Sequence, residues 1–128
     1  MSEHKAQNEI RLALGRDVTL FRNNVGTAWT GDVSKLPDGS VLIRNPRILH
    51  AGLCVGSSDL IGWRSVSITS DMVGNKFAVF CAVEVKGPKG RATPAQIHFL
   101  EQLIKAGGLG VIAKNATDAK KGLGLIVK

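Results

Sequence analysis

The stretch from Phe77 to Lys86 constrains the fold most, because it is rich in Val and Phe and almost free of polar residues until its end. Its composition predicts the strongest β-strand of the chain. At this length the apolar stretch is too short to cross a bilayer. Side chains alternate between the two faces of a strand, so Glu84 and Lys86 are predicted to point the same way. The chain therefore needs a sheet whose strongest strand ends in an acid and a base.

A first helix is predicted from Ser2 to Leu14, with Ser2 as its N-cap and Gly15 at its end. At 3.6 residues per turn, Glu3 and Gln7 share a stripe with Ile10 and Leu14. We therefore expect Glu3 to point inward. An acid in line with an apolar stripe suggests a function.

A second helix is predicted from Thr93 to Ala106. Thr93 is the cap, Pro94 takes the first helical position and Gln96 completes a capping box. Gln96 lies centrally on the apolar stripe of this helix, which includes Phe99. Gln96 is thus a second polar group that is expected on an inner face.

The remaining elements are predicted from turn residues and apolar runs. Two strands are expected to be joined by the turn at residues 23–26. Leu36 to Gly56 is expected to form an elaborated loop, with a turn at Pro37-Asp38-Gly39, room for a short strand at Val41 to Ile43, and a break at Pro46. The strands are Val18 to Arg22, Thr27 to Gly31, Asp59 to Trp63, Val66 to Thr69 and Gly110 to Ala113, followed by a helical turn at Thr117 to Lys121 and the apolar segment Leu123 to Val127. This order predicts an α/β fold with a mixed central sheet flanked by helices.

Composition limits the kinds of protein that the chain can be. With 128 residues and 44% apolar content, it fits a single domain over residues 1–128. The polar start of the first helix does not resemble a signal peptide, so we expect a soluble, intracellular protein. Cys54 and Cys81 have no metal-ligand spacing, and Cys81 is expected to be a small buried side chain.

The charge balance favours a polyanionic partner. The chain has 17 basic and 10 acidic residues and a formal net charge of +7. Basic side chains that contact phosphates release condensed counterions, which favours binding to nucleic acids. A solubilising surface explains the same charge, so charge alone does not decide between the two readings.

Glu84 and Lys86 alone fit an exposed ion pair at a strand end, which is common and weak. Asp59, however, opens another predicted strand. Two carboxylates at neighbouring strand ends repel each other unless a cation lies between them. Oxygen ligands of this kind suit Mg²⁺ or Mn²⁺. Lys86 is then placed to orient an attacking water or to stabilise charge that develops on phosphorus.

In their order and spacing these residues resemble the motif pattern of the PD-(D/E)XK nuclease superfamily. More narrowly, the sequence resembles a stand-alone VRR-NUC domain of the phage or prophage type. Ser58 precedes Asp59, where the superfamily name has a proline. The matching pieces are Glu3 with Gln7, Arg22-Asn23-Asn24 with Gly26, Gly56 to Gly62, Val83 to Gly87, Thr93 to Gln96 with Phe99, and Gly107-Gly108 before Gly110.

The resemblance implies a restriction-endonuclease-like fold and metal-dependent cleavage of DNA. It implies that Asp59, Glu84, the Val85 carbonyl and Glu3 hold Mg²⁺ or Mn²⁺. Lys86 would serve the attacking water, and Gln96 would position Lys86 or the water. It further implies branched DNA as the substrate, as for Holliday-junction resolvases in DNA repair. It also implies a homodimer and a cytoplasmic location in a bacterial host cell.

Basic and amide side chains are candidates for phosphate contact, although a solvated surface role is at least as common for any one of them. They are Arg22, Asn23, Asn24, Arg44, Arg47, Arg64, Lys89 and Arg91. Trp29 and Trp63 could stack on bases, but burial is the more common role of tryptophan and is the one we expect.

Two other functions fit the same sequence. A non-catalytic basic DNA-binding module would need the charge but not the acids, so Asp59→Asn would leave its function intact. A sequence-specific restriction enzyme would share the chemistry but would need recognition elements for which 128 residues leave little space. Only the resemblance favours DNA over RNA.

Overall fold

The computed structural model describes residues 2–125. The helices and strands, with one short 3₁₀ turn at Ser70–Met72, are α1 Glu3–Leu14, β1 Thr19–Arg22, β2 Gly26–Lys35, β3 Val41–Ala51, β4 Leu60–Trp63, β5 Cys81–Val85, α2 Pro94–Lys105, β6 Leu109–Ala113 and α3 Ala116–Gly122. This mixed content confirms the predicted α/β class. The prediction of a strand at Val66 to Thr69 is wrong, because these residues form no strand.

The chain divides after Gly62 into two compact units, here called unit 1 (up to Gly62) and unit 2 (from Trp63 onward). Over the described residues the strands form three two-stranded sheets, β1 with β4, β2 with β3, and β5 with β6. The sequence predicts one mixed central sheet in their place. Both strand directions of a mixed sheet do occur, since β2 and β3 are antiparallel whereas β5 and β6 are parallel.

Helix α1 of unit 1 has the predicted ends but not the predicted inner face. The Ser2 hydroxyl accepts a hydrogen bond from the Lys5 N–H at 3.2 Å, and the helix ends at Gly15. No residue of α1 is buried, and Glu3 is exposed. The prediction that Glu3 points inward is therefore wrong. The large apolar side chains of the helix, Ile10, Leu12 and Leu14, are themselves exposed.

The hairpin of unit 1 joins β2 to β3, whereas the predicted turn at residues 23–26 connects β1 to β2, which belong to different sheets. Its register runs from Gly26 opposite Ala51 to Lys35 opposite Val41. Ser40 closes the turn by donating from its hydroxyl and its N–H to the Asp38 carboxylate, at 2.5 and 2.9 Å. These two bonds hold the pKa of Asp38 below its usual value, because they stabilise the ionised form.

The predicted turn at residues 37–39 and the predicted strand at Val41 to Ile43 are confirmed. The predicted break at Pro46 is wrong, because Pro46 lies inside the eleven-residue strand β3. The ladder shifts its register between Thr30 and Asp32, opposite Pro46. A bulge leaves backbone groups outside the ladder, which is where a proline without an N–H is tolerated. Gly31 allows the close approach, because a Cβ there would lie 2.7 Å from the Arg44 carbonyl oxygen.

The β1–β4 sheet carries the segment that leads to Asp59. The Asn23 N–H, just after β1, donates to the Asp59 carbonyl oxygen at 2.8 Å. At the other end, Gly62 lies against Thr19, so the two strands run in opposite directions. A Cβ on Gly62 would lie 1.7 Å from the Thr19 carbonyl oxygen, so only glycine fits.

In unit 2, β5 and β6 pair from Cys81 opposite Leu109 to Val85 opposite Ala113. Strand β5 is shorter than the predicted Phe77 to Lys86, because β6 offers only five partner residues. Cys81 is exposed, which contradicts its predicted burial.

Helix α2 covers β6 and supplies most of the buried core of the described residues. Thr93 and Gln96 form the predicted capping box, and Pro94 begins the helix. The buried apolar side chains are Leu100, Leu103 and Ala113.

The two tryptophans differ in burial. Trp63 is half-buried and makes edge contacts with Phe80 and Phe99, at ring-centroid distances of 5.1 and 6.1 Å. Trp29 is 56% exposed, so the prediction of burial is wrong for it. The predicted turn near Thr117 is helix α3, capped by Asn115. Part of the predicted apolar segment Leu123 to Val127 lies outside the described residues.

Candidate active site

Glu84 and Lys86 form an ion pair on the less exposed face of β5. Lys86 Nζ lies 3.0 Å from Glu84 Oε1, and their side chains are 18% and 28% exposed, respectively. Val85, on the opposite face, is 71% exposed. A strand that merely runs out into solvent would place its charges on the more exposed face. The pair is therefore partly desolvated, which costs free energy and makes a purely solubilising role a poor explanation.

The backbone of β6 fixes the end of β5. The Lys86 N–H donates to the Ala113 carbonyl oxygen at 3.0 Å, so the ladder continues one residue past β5. In a parallel ladder, alternate residues of one strand bond to the neighbouring strand. The backbone groups of Glu84 and Lys86 therefore face β6, and the N–H and carbonyl of Val85 face away from it. The Val85 carbonyl oxygen is thus directed away from the ladder.

The donor atoms at this strand end fit a hard divalent cation. Glu84 and the Val85 carbonyl supply oxygen atoms, which Mg²⁺ and Mn²⁺ prefer. Within residues 2–125, neither unit gathers three or more His, Cys, Asp or Glu side chains into a metal-binding group. Mg²⁺ commonly needs only one or two protein carboxylates, because waters and substrate phosphates complete its coordination.

Gln96 lies at the start of α2, and its side chain has a structural task. Its Oε1 accepts from the Thr93 N–H at 2.9 Å, and its own N–H donates to Thr93 Oγ1 at 3.2 Å. The capping box uses the carbonyl end of the amide. The Nε2 end is the part of Gln96 that can donate to a water or a phosphate.

The loop after the Glu84–Lys86 pair is tied to the end of β6. Lys114 Nζ donates to the Pro88 carbonyl oxygen at 2.8 Å, and the Gly90 N–H donates to the Gly87 carbonyl oxygen at 3.0 Å. Lys89 is exposed on this tight loop, as is Arg91 just beyond it. No local pattern in the sequence predicts this role for Lys114, because Pro88 is 26 positions away.

Asp59 belongs to unit 1, where it is exposed directly before β4. Asn23 holds the preceding segment. Its Nδ2 donates to Ser57 Oγ at 2.7 Å and to the Ser58 carbonyl at 2.8 Å, and its Oδ1 accepts from the Leu53 N–H at 2.9 Å. The Nδ2 donor and the Oδ1 acceptor of Asn23 therefore both bond within the protein, although the sequence predicts that this side chain contacts phosphate.

The other predicted site residues lie on exposed parts of their units. Arg22 bonds to His4 and Asn8 of α1, which fixes its guanidinium beside that helix. Arg44 and Arg47 are exposed on β3 of the hairpin, where their backbone positions lie opposite Asp32 and Thr30 of β2. The exposed residues of the predicted set also include Glu3, Asn24 and Arg64.

An open cleft of unit 1 lies between α1 and β1, and none of the predicted site residues lines it. Its lining residues are Asn8, Arg11, Leu12, Gly15, Val18, Thr19 and Leu20. The cleft therefore gives the predicted site no support. Ser57, close to Asp59, has hydrogen-bond partners in unit 1 but no predicted role. Its position in Gly56-Ser57-Ser58-Asp59 is the local signal that points to it.

Comparison with known proteins identifies a family. No curated protein and no solved structure gives a significant match. Over residues 2–125 no helix has the length and apolar content needed to cross a membrane. The model of the VRR-NUC domain family matches residues 5–116, which is nearly the whole chain and includes Asp59, Glu84, Lys86 and Gln96. The chain belongs to the VRR-NUC domain family, a family of nucleases.

Proposed function

We propose that this protein is a metal-dependent DNA endonuclease that cuts branched DNA. The observation that carries the proposal is the partly desolvated Glu84–Lys86 pair at the end of β5, within a VRR-NUC domain. An acid and a base that are held 3.0 Å apart can bind a cation and serve a water at neighbouring positions. The net charge of +7 supports a polyanionic substrate.

The residues then have distinct tasks. Glu84, the Val85 carbonyl and Asp59 are the residues that would hold Mg²⁺ or Mn²⁺, and Glu3 would add a further carboxylate. When bound, the ion polarises the scissile phosphate and makes water a better nucleophile. Lys86 orients the attacking water and stabilises charge on the phosphate, and the Nε2 group of Gln96 positions Lys86 or that water.

A fold family and an oligomeric state are also proposed. We propose a restriction-endonuclease-like fold with a mixed sheet, within one domain over residues 1–128. We also propose a homodimer in the bacterial cytoplasm, encoded by a phage or prophage. Two active sites in a dimer would cut a four-way junction symmetrically. A monomeric mass from light scattering at micromolar concentration would contradict this part.

Phosphate contacts would come from exposed basic and amide side chains. Lys89 and Arg91 follow the Glu84–Lys86 pair directly, so we expect their loss to raise the KM for DNA more than it lowers kcat. The other candidates are Arg22, Asn24, Arg44, Arg47 and Arg64.

A substrate panel tests the proposed function. Duplex, flap, replication-fork and four-way-junction DNA, with matched RNA, are incubated with Mg²⁺, Mn²⁺ or EDTA. We expect cleavage of branched DNA with either ion and none in EDTA. Cleavage that continues in EDTA would refute metal dependence, and equal cleavage of duplex and branched DNA would refute the structural preference.

The alternative is a basic DNA-binding module without catalysis. It predicts tight binding of branched DNA, no cleavage with either ion, and unchanged binding after Asp59→Asn. The exposure of Asp59 makes this a clean comparison, because the substitution removes a charge without burying an unpaired group. Loss of cleavage in Asp59→Asn, with binding retained, would exclude the alternative.

A further inference from the structure

The side chain of Asn23 forms hydrogen bonds with both ends of the segment from Leu53 to Ser58, which leads directly into Asp59. Asn23 accepts from the Leu53 N–H at the start of this segment and donates to Ser57 Oγ and the Ser58 carbonyl at its end. Its backbone N–H donates to the Asp59 carbonyl. Four bonds from one residue thus bracket the segment and reach the backbone of Asp59 itself.

The segment has its own turn, which depends on the same hydroxyl. Ser57 donates from its hydroxyl to the Cys54 carbonyl at 2.7 Å, and its N–H donates to that carbonyl at 3.0 Å. Gly56 supplies the left-handed conformation that the turn needs, with φ of +87°. Since Ser57 Oγ also accepts from Asn23, the turn and the bracket are one network.

The geometry gives Asn23 a different role from the phosphate contact predicted from the sequence. Both N–H groups of its Nδ2 have acceptors inside unit 1, and the side chain is half-buried. An amide donor that turned towards a phosphate would have to break bonds to Ser57 and Ser58. Asn24, the next residue, is exposed and better placed for a phosphate contact.

We propose that Asn23 is a positioning residue for Asp59. By fixing the backbone before and at Asp59, Asn23 presents the Asp59 carboxylate to the metal. The inference rests on the proposed function, because it assigns Asp59 to the metal. Residues that hold a metal ligand in place typically account for about 10- to 100-fold in metal affinity or activity. Fixing a ligand's backbone lowers the entropy that is lost when the ion binds.

The test compares metal dependence with DNA binding. In Asn23→Ala we expect the Mg²⁺ concentration for half-maximal cleavage to rise about 10- to 100-fold. Its affinity for DNA in EDTA, measured by fluorescence anisotropy, stays unchanged. Asn24→Ala is the matched comparison, with weaker DNA binding and an unchanged Mg²⁺ requirement. Weaker DNA binding by Asn23→Ala, with an unchanged Mg²⁺ requirement, would overturn the proposal in favour of a phosphate contact.

Two further variants keep the test decisive if Asn23→Ala does not fold. Asn23→Asp keeps an oxygen for the Leu53 N–H but removes both donors and sets a carboxylate oxygen towards the Ser58 carbonyl, so we expect at least the same shift in Mg²⁺ requirement. Ser57→Ala removes the shared hydroxyl and should act in the same direction. A wild-type Mg²⁺ requirement in both folded variants would overturn the proposal.

Amide exchange provides a readout that needs neither metal nor activity. Loss of the acceptor in Asn23→Ala should make the Leu53 N–H exchange about 5- to 10-fold faster in NMR hydrogen exchange. If the wild-type protein cleaves no DNA, the proposed function fails, and the exchange rate still decides whether Asn23 holds this segment. Unchanged exchange at Leu53 would refute the bracket itself.

Discussion

The Gln96 side chain caps α2 through Oε1 and has a proposed catalytic contact through Nε2. The substitution Gln96→Glu keeps the first interaction and removes the second. The carbonyl end of the side chain accepts from the Thr93 N–H at 2.9 Å, and a glutamate offers an oxygen at the same place. A negative charge in the first turn of α2 also interacts favourably with the helix dipole. Stability should therefore rise by about 0.3 to 1 kcal/mol, because the capping bond becomes charge-assisted.

Activity should move in the opposite direction. Glutamate has no counterpart of the Nε2 donor, and removing one positioned donor lowers kcat by about 100-fold or more. The assays are urea denaturation for stability and single-turnover cleavage of branched DNA for activity. Gln96→Ala is the companion variant, which should lose both activity and about 0.5 to 1 kcal/mol of stability. A Gln96→Glu variant that cleaves at the wild-type rate would refute the catalytic role and leave Gln96 as a helix cap.

Two further substitutions test the packing that holds the site. Gly62→Ala should cost about 1 to 3 kcal/mol in urea denaturation, because a Cβ would lie 1.7 Å from the Thr19 carbonyl oxygen. Gly26→Ala, whose Cβ would meet nothing within 4 Å, is its control, and equal stability of the two would contradict the β1–β4 pairing. Lys114→Gln removes the bond to Pro88, so we expect a raised KM for DNA and a loss of less than about 1 kcal/mol, given its exposure. Wild-type KM and kcat in this variant would show that the loop needs no such anchor.

Local signals in the sequence predicted local structure correctly. The caps at Ser2 and Thr93 are confirmed, because a cap depends on residues within one helical turn. The partner of each strand could not be predicted in this way. β1 pairs with β4, about forty positions away, and the sequence near Asn23 resembles a hairpin turn. The sequence around Pro46 predicts a break because the proline is tolerated only through the register shift, where Asn45 and Pro46 of β3 lie opposite Gly31 of β2.

In the candidate site, too, contacts between residues close in sequence could be predicted and contacts between residues far apart in sequence could not. Strand alternation alone placed Glu84 and Lys86 on one face, and the structure confirms that they meet. Alternation could not tell that this is the less exposed face of β5. The hydrogen bonds of the Asn23 side chain could not be predicted either, because its partners Leu53, Ser57 and Ser58 lie 30 to 35 positions away in the sequence.

The central claim is that Glu84 and Lys86 carry the cleavage chemistry of a metal-dependent nuclease, and one comparison tests it most directly. Single-turnover cleavage of a four-way junction in Mg²⁺ is measured for the wild type, Glu84→Gln and Glu101→Gln. Glu101 is an exposed glutamate on α2 and serves as the matched control. We predict that the Glu84→Gln variant remains folded and binds DNA but cleaves it at least about 100-fold more slowly than the wild type. The Glu101→Gln variant should cleave at the wild-type rate. Cleavage by Glu84→Gln at the rate of Glu101→Gln would contradict the account.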